Sequence, residues 1–196
     1  APRDKYGVIK PYTETELYDV SRLVQMAWIL AESDVVKISR SYVITPDSFE
    51  IPESSTKIHG ITHERAVNEG TCLSAVFAQL YRDMNEYKPR RIVAHNLEFD
   101  NSIVLSELER MSTEKTVFLT DALLKTPHVC TMLLGREVCR IPKENNRFGF
   151  KNPKLTELYK HYFGEEMVGN HDAMEDARAC FRCYIRMKND KKKCKL

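Results

Sequence analysis

The sequence predicts an α/β domain in which helices cover a sheet. Three observations carry this. Short apolar runs alternate with amphipathic stretches of helical period. The run 22–30 is apolar on both faces, the pattern of a strand inside a sheet. Cap and turn residues punctuate the switches between runs. One compact domain over 1–188 is expected, with a basic tail at 189–196.

Residues 1–20 show no sustained period and read as a long loop. The 22–30 strand turns at Ser33-Asp34 into a second strand, about Val35–Ile44, and Pro46 ends it because proline lacks a ladder donor. Residues 54–60 read as loop and 61–68 as a short helical piece capped by Thr62 and broken by Gly70. Thr71 can cap the next helix, in which Leu73, Val76, Phe77, Leu80, Tyr81 and Met84 trace a stripe at 3–4 spacing. A short strand at 91–95 follows Pro89. Asn96 can cap a helix burying Val104, Leu105, Leu108 and Met111.

Residues 117–124 fit helix or strand, 128–132 a short strand, and 136–151 a basic loop. Asn152-Pro153 places proline at a helix start, with Leu155, Leu158, Tyr159, Tyr162 and Phe163 as the apolar stripe and Gly164 as the stop. The last helix is expected from about Ala173 to Lys188, with Ala173, Ala177, Cys180, Phe181, Tyr184 and Met187 inward.

Apolar residues make up 42% of the chain, but no run reaches the roughly 18 needed to cross a bilayer, so no membrane partner is expected. Cys180 and Cys183 form a C-x-x-C inside a helical pattern. No second pair completes a zinc site, so the six cysteines read as thiols in a reducing, intracellular compartment. Net charge is +2, yet residues 186–196 hold six Lys/Arg against Asp190, leaving the remainder at 24 basic and 27 acidic, net −3.

Candidate chemistry gathers at two helix entrances. Asp172 is a natural N-cap with Glu175 three residues on, and His171 precedes it. Asp176 and Asp100 each lie one turn into a helix. Both have a structural reading, favourable interaction with the helix dipole. Both also have a functional one, because carboxylates from separate elements hold hard cations such as Mg²⁺ or Mn²⁺, and a nearby imidazole titrates in the range useful for taking a proton from water.

The stretches His95-Asn96-Leu97-Glu98-Phe99-Asp100 and His171-Asp172-Ala173-Met174-Glu175-Asp176 resemble the DEDDh group of DnaQ-like 3′–5′ exonucleases. Matches in the same order occur at 22–28, 58–62 and 153–158, so the resemblance covers about residues 22–188. It implies a ribonuclease H-like fold with a mixed central sheet flanked by helices, two Mg²⁺ ions (Mn²⁺ as a substitute), and hydrolysis of single-stranded DNA or RNA from 3′ ends to 5′-mononucleotides. It makes Asp100 and Asp176 metal ligands and His171 the general base. His59, Gly60 and Ile61 would contact the terminal nucleotide, and Asn96 would hold the backbone or shape the site. His95 has the alternative of a packed strand-end residue.

One motif departs from the family. An Asp-x-Glu pair belongs on the first, central strand, and the chain offers only Glu14 and Glu16, with Tyr12 where the Asp should stand. Three readings are open: the pair lies upstream of Ala1, Glu14 and Glu16 form a divergent site on a strand face, or catalysis is lost. The last gives the competing function, an inactive exonuclease-like module that binds nucleic acid or a protein. In all cases the first central strand is expected to be missing or supplied by another segment.

Overall fold

The computed structural model describes residues 1–143, 148–169 and 171–193, with the side chains of 115 and 191–193 left aside. The elements run β1 (Gln25–Glu32), β2 (Val35–Val43), α1 (Glu53–His59), α2 (His63–Glu69), α3 (Leu73–Tyr87), β3 (Ile92–Ala94), α4 (Leu97–Met111), α5 (Glu114–Lys125), β4 (His128–Cys130), α6 (Thr131–Cys139), α7 (Leu155–Phe163) and α8 (Ala173–Lys193). A 3₁₀ turn at Thr15–Tyr18 precedes them. The fold is α/β, but the described strands form two pairs, β1–β2 and β3–β4, rather than one continuous sheet. No described strand joins the pairs, so residues 5–15 do not supply the first central strand.

By internal contacts the chain divides into two compact units, 1–27 with 40–92 and 98–127, and 28–39 with 93–97 and 128–196. In the first, Ile51, Ile61 and Ala66 form a core with Val24, Val43 and Phe49 around it. Helix α3 buries Val76, Phe77, Leu80 and Met84, the stripe its spacing predicts, and packs on α5. Buried Asp83 on α3 is matched by Arg40, Nε to Oδ2 at 2.6 Å and Nη2 to Oδ1 at 3.1 Å. A carboxylate this deep is tolerable only with such a partner.

Residues 1–20 are irregular, as the sequence indicates, but they are tied down against α4. Tyr18 is 1% exposed and its hydroxyl donates to the Lys10 carbonyl at 2.6 Å. Arg110 of α4 donates to the Thr15 carbonyl and pairs with Asp19. Just beyond, β1 begins at Gln25 and not at Arg22, because Arg22 and the Leu23 amide are turned to Glu107 on α4.

In the second unit α6, α7 and α8 pack together around Leu158, Tyr159, Ala179, Cys183 and Met187. Helix α6 replaces the start of the expected 136–151 loop. Its Gly135 obscures the pattern but permits close packing, since a Cβ there would stand 3.0 Å from both Leu158 Cδ1 and Pro153 Cγ. Helix α7 starts at Leu155 rather than at Pro153, with the Lys154 amide donating to Glu157 at 2.7 Å. The 117–124 stretch is helix α5, opened by reciprocal Thr113–Thr116 capping bonds. Residues 53–59, expected as loop, form α1.

Helix α8 continues through Lys193, so most of the expected tail is helix; residues 194–196, like Glu144 to Arg147 of the basic loop, lie outside the described residues. Its buried face is Met174, Ala179, Cys180, Cys183, Tyr184 and Met187, rotated from the expected one: Ala173, Ala177 and Phe181 are only partly buried. The described cysteines are all unbridged thiols, and burial pushes Cys183 up to about 12. No helix of the described residues is long and apolar enough to cross a membrane.

Candidate functional site at the entrance of the last helix

The rotation of α8 decides the environment of Asp176. It stands three and four residues before Ala179 and Cys180 and seven and eight before Cys183 and Tyr184, so it heads the buried face. Asp172 caps the helix: its Oδ1 accepts from the amides of Met174 at 2.9 Å and Glu175 at 3.1 Å. With the entrance thus satisfied, Asp176 is not needed as a cap. Its carboxylate accepts from the His171 backbone amide, yet its Oδ1 is buried without a hydrogen-bond partner. Burial raises its pKa above the usual carboxylate value, against the lowering effect of His171. A half-buried carboxylate with an open oxygen is a place for a cation or a donor.

His171 is exposed and sits at φ 74°, a left-handed conformation uncommon for a side-chain-bearing residue. The turn is held by the Asp172 amide donating to the Gly169 carbonyl at 3.0 Å. Gly169 itself has φ 74°, and a Cβ on it would meet Glu175 Cγ at 2.8 Å. The tight turn thus aims the imidazole into solvent while its amide stays on Asp176.

His95 is a structural residue. Its Nε2 donates to the Pro153 carbonyl at 3.0 Å, which fixes the tautomer, and Nδ1 faces the Thr131 hydroxyl at 3.1 Å. Burial lowers its pKa, opposed by the bond to the Pro153 carbonyl. Neighbouring Asn96 is partly buried at φ 64°, a conformation asparagine tolerates and unlike the extended backbone of an ordinary N-cap.

In the first unit, Asp100 is exposed in the first turn of α4. Gly60 closes α1 at φ 73° with its amide on the Thr56 carbonyl at 2.7 Å. The His59 Nδ1 accepts from the Ile61 amide at 3.1 Å. Ile61 is 2% exposed in the core, so its side chain is not available to a nucleotide. Glu14 and Glu16 are exposed at and within the 3₁₀ turn, not on a strand, and the expected strand face does not exist there.

Among the described residues no three His, Cys, Asp or Glu side chains converge as a metal-binding group. The donor set is therefore partial: Asp176 fits a cation by its open buried oxygen, and the two-ion cage that the resemblance implies is not completed by these residues. Sequence reasoning missed the anchors Glu107 and Asp83, both buried acids with arginine partners. An isolated acid within an apolar helical stripe, as at Asp83 beside Leu80 and Met84, was the available signal.

No curated protein matches the chain. Among solved structures, Escherichia coli Exonuclease I in complex with a dA16 oligonucleotide matches at 19% identity and TM-score 0.66, covering 90% of this chain and 38% of that one. The zinc-bound form of the same organism's Exonuclease I with single-stranded DNA matches at 20% identity and TM-score 0.64, over 88% and 37%. Exonuclease X in complex with 5′-overhanging duplex DNA matches at 18% identity and TM-score 0.55, over 86% and 83%. These likenesses establish the fold. The chain spans 38% of the length of that first Exonuclease I structure. The exonuclease family model of the RNase T type matches residues 13–184. With the helix-entrance stretches at 95–100 and 171–176 inside that span, this chain belongs to the exonuclease family.

Proposed function

We propose that this chain is a nucleic-acid-binding module with an exonuclease fold that binds single-stranded ends and does not by itself complete a hydrolytic metal site. The observation that carries the second half is the partial donor set: Asp176 has an open oxygen, but no trio of ligands converges among the described residues. The first half is supported by family membership and by the oligonucleotides bound to the Exonuclease I structures it is similar to.

A second reading, metal-dependent 3′–5′ hydrolysis of single-stranded DNA or RNA, is favoured by the buried open oxygen of Asp176. It requires further carboxylates beyond the described residues. On this reading Asp176 would be one ligand of Mg²⁺ or Mn²⁺, which would supply an activated water and charge stabilisation on the departing oxygen. His171, whose imidazole is exposed, would take the water's proton at a ring nitrogen. Asp172 orients it indirectly, by capping the helix that the turn enters.

The test is to incubate the chain and its Asp176→Ala variant with 5′-labelled single-stranded DNA and RNA in Mg²⁺. Retained binding without shortening supports the module. Shortening from the 3′ end that Asp176→Ala abolishes supports hydrolysis and rejects the module.

A further inference from the structure

Ahead of the first 3₁₀ turn, residues 2–10 fold back as a small hairpin. Arg3 and Ile9 form an antiparallel bridge, the Lys10 amide donates to the Pro2 carbonyl at 2.9 Å, and the Asp4 amide donates to the Val8 carbonyl at 2.8 Å. The loop is Lys5-Tyr6-Gly7. The Gly7 amide donates back to the Asp4 carbonyl at 3.0 Å, and Gly7 sits at φ 83°, the left-handed conformation that closes a three-residue hairpin loop. Asp4 Oδ1 accepts from the amides of Tyr6 at 2.8 Å and Val8 at 2.9 Å, so this carboxylate is engaged inside the turn.

Tyr6 stands at the tip and is 78% exposed. The turn is held by backbone groups, by Asp4 and by Arg3, which donates to the Gly7 carbonyl; the tyrosine ring takes no part in those bonds. The Lys5 ammonium lies over the ring, 5.0 Å from its centroid, and the exposure leaves the opposite face to solvent. The base of the hairpin is fixed. The Lys10 carbonyl accepts from the hydroxyl of buried Tyr18 at 2.6 Å, and that hydroxyl lies against the Ser102 hydroxyl on α4, the helix that carries Asp100. A ring presented on a bonded turn gives up little freedom when it is covered.

The hairpin is basic, with Arg3, Lys5 and Lys10 against Asp4, net +2. An open aromatic face with a cation on the adjoining residue matches a single strand, in which unstacked bases alternate with phosphates. A segment that reads anionic lipid carries about four to eight Lys/Arg, more than this hairpin has.

We propose that Tyr6 is a base-stacking platform for single-stranded nucleic acid, with Lys5 engaging the adjoining phosphate. This rests on the nucleic-acid-binding reading above and gives it a named contact. Stacking is sequence-tolerant because every base presents a π-face, so the platform takes DNA or RNA without base preference.

The test is fluorescence anisotropy of a short 5′-labelled single-stranded oligonucleotide with the intact chain, in EDTA so that hydrolysis plays no part. Tyr6→Ala weakens binding roughly fivefold to a hundredfold, the range that follows from losing one stacked base. Tyr6→Trp retains binding, and its emission is quenched on adding oligonucleotide relative to wild type, whose single tryptophan is Trp28. Lys5→Ala lowers affinity and reduces the salt slope by about one. Phe118→Ala, an exposed ring on α5 outside the hairpin, leaves binding unchanged. Equal affinity of wild type and Tyr6→Ala overturns the platform while leaving the nucleic-acid reading standing. No binding by wild type overturns both. Tyr6-dependent binding to phosphatidylserine vesicles without Tyr6-dependent oligonucleotide binding overturns the platform in favour of a membrane surface.

Discussion

Arg22 grips Glu107 with two parallel bonds, Nε to Oε1 at 2.8 Å and Nη2 to Oε2 at 3.1 Å, and the Glu107 side chain is 4% exposed. The Leu23 amide adds a third bond to Oε1 at 3.1 Å, and the guanidinium lies 4.4 Å from the Phe49 ring centroid. The pair fastens the approach to β1 to helix α4. Breaking one partner of such a buried pair leaves an uncompensated charge. Arg22→Ala is expected to destabilise the protein by about 3–5 kcal/mol, measured by urea denaturation. A paired Arg22→Met, Glu107→Leu variant is expected to lose less, because no charge is then stranded. Equal losses from single and double variants would show that packing, not charge, dominates.

Asp176 is expected to make stability depend on pH. Its native pKa is raised above 3.8 by burial, so between that value and the native pKa the folded state holds more protons than the unfolded one. Stability from this group falls as pH rises through that window and stays reduced above it. Asp176→Asn removes the charge and keeps an acceptor for the His171 amide. It should stabilise by about 1 kcal/mol at pH 7, the low end for an unsatisfied group because the residue is only half-buried. The gain should vanish below pH 3.8, as thermal melts at the two pH values will show.

Gly70 marks the end of α2, yet its φ of −70° is one any residue adopts. What requires glycine is space: a Cβ would stand 2.2 Å from the Ala66 carbonyl oxygen and 2.6 Å from the Thr45 nitrogen. Both are backbone atoms and cannot swing away. Gly70→Ala is expected to cost about 3 kcal/mol, the top of the usual overpacking range, by urea denaturation. A cost below about 0.5 kcal/mol would contradict the close approach.

The thiols should differ in reactivity. Cys72 is exposed at the start of α3, and hydrogen bonds from Ser74 and the Ala75 amide lower its pKa. Cys183 is buried and pushed up to about 12. Since the thiolate is the nucleophile, iodoacetamide should label Cys72 faster than Cys183 by on the order of tenfold or more, read by peptide mass spectrometry.

The amphipathic stripe of α3 and the capping of α8 by Asp172 were legible because they are local: period and cap chemistry act within a few residues. The fold family was legible from the order of motifs. Helix α6 was not, because Gly135 lowers helix propensity and its reason lies across space in Leu158 and Pro153. The face of α8 was misjudged by about one position because Cys183, wholly buried, reads as an ordinary small residue in a polar stretch. At the last helix's entrance the Asp172 cap was legible because a cap acts within three residues. The roles given to Glu14 and Glu16 depended on a strand that tertiary structure does not form, since Tyr18 and Arg110 fold that segment onto α4 instead.

The central claim is that this chain binds single-stranded ends without completing a hydrolytic site. The most direct measurement is electrophoresis of a 5′-labelled single-stranded oligonucleotide with the chain in Mg²⁺, run under native and denaturing conditions in parallel. A retarded band on the native gel and a full-length strand on the denaturing gel are expected. An unretarded oligonucleotide, or a ladder of 3′-shortened products that Asp176→Ala removes, would contradict it.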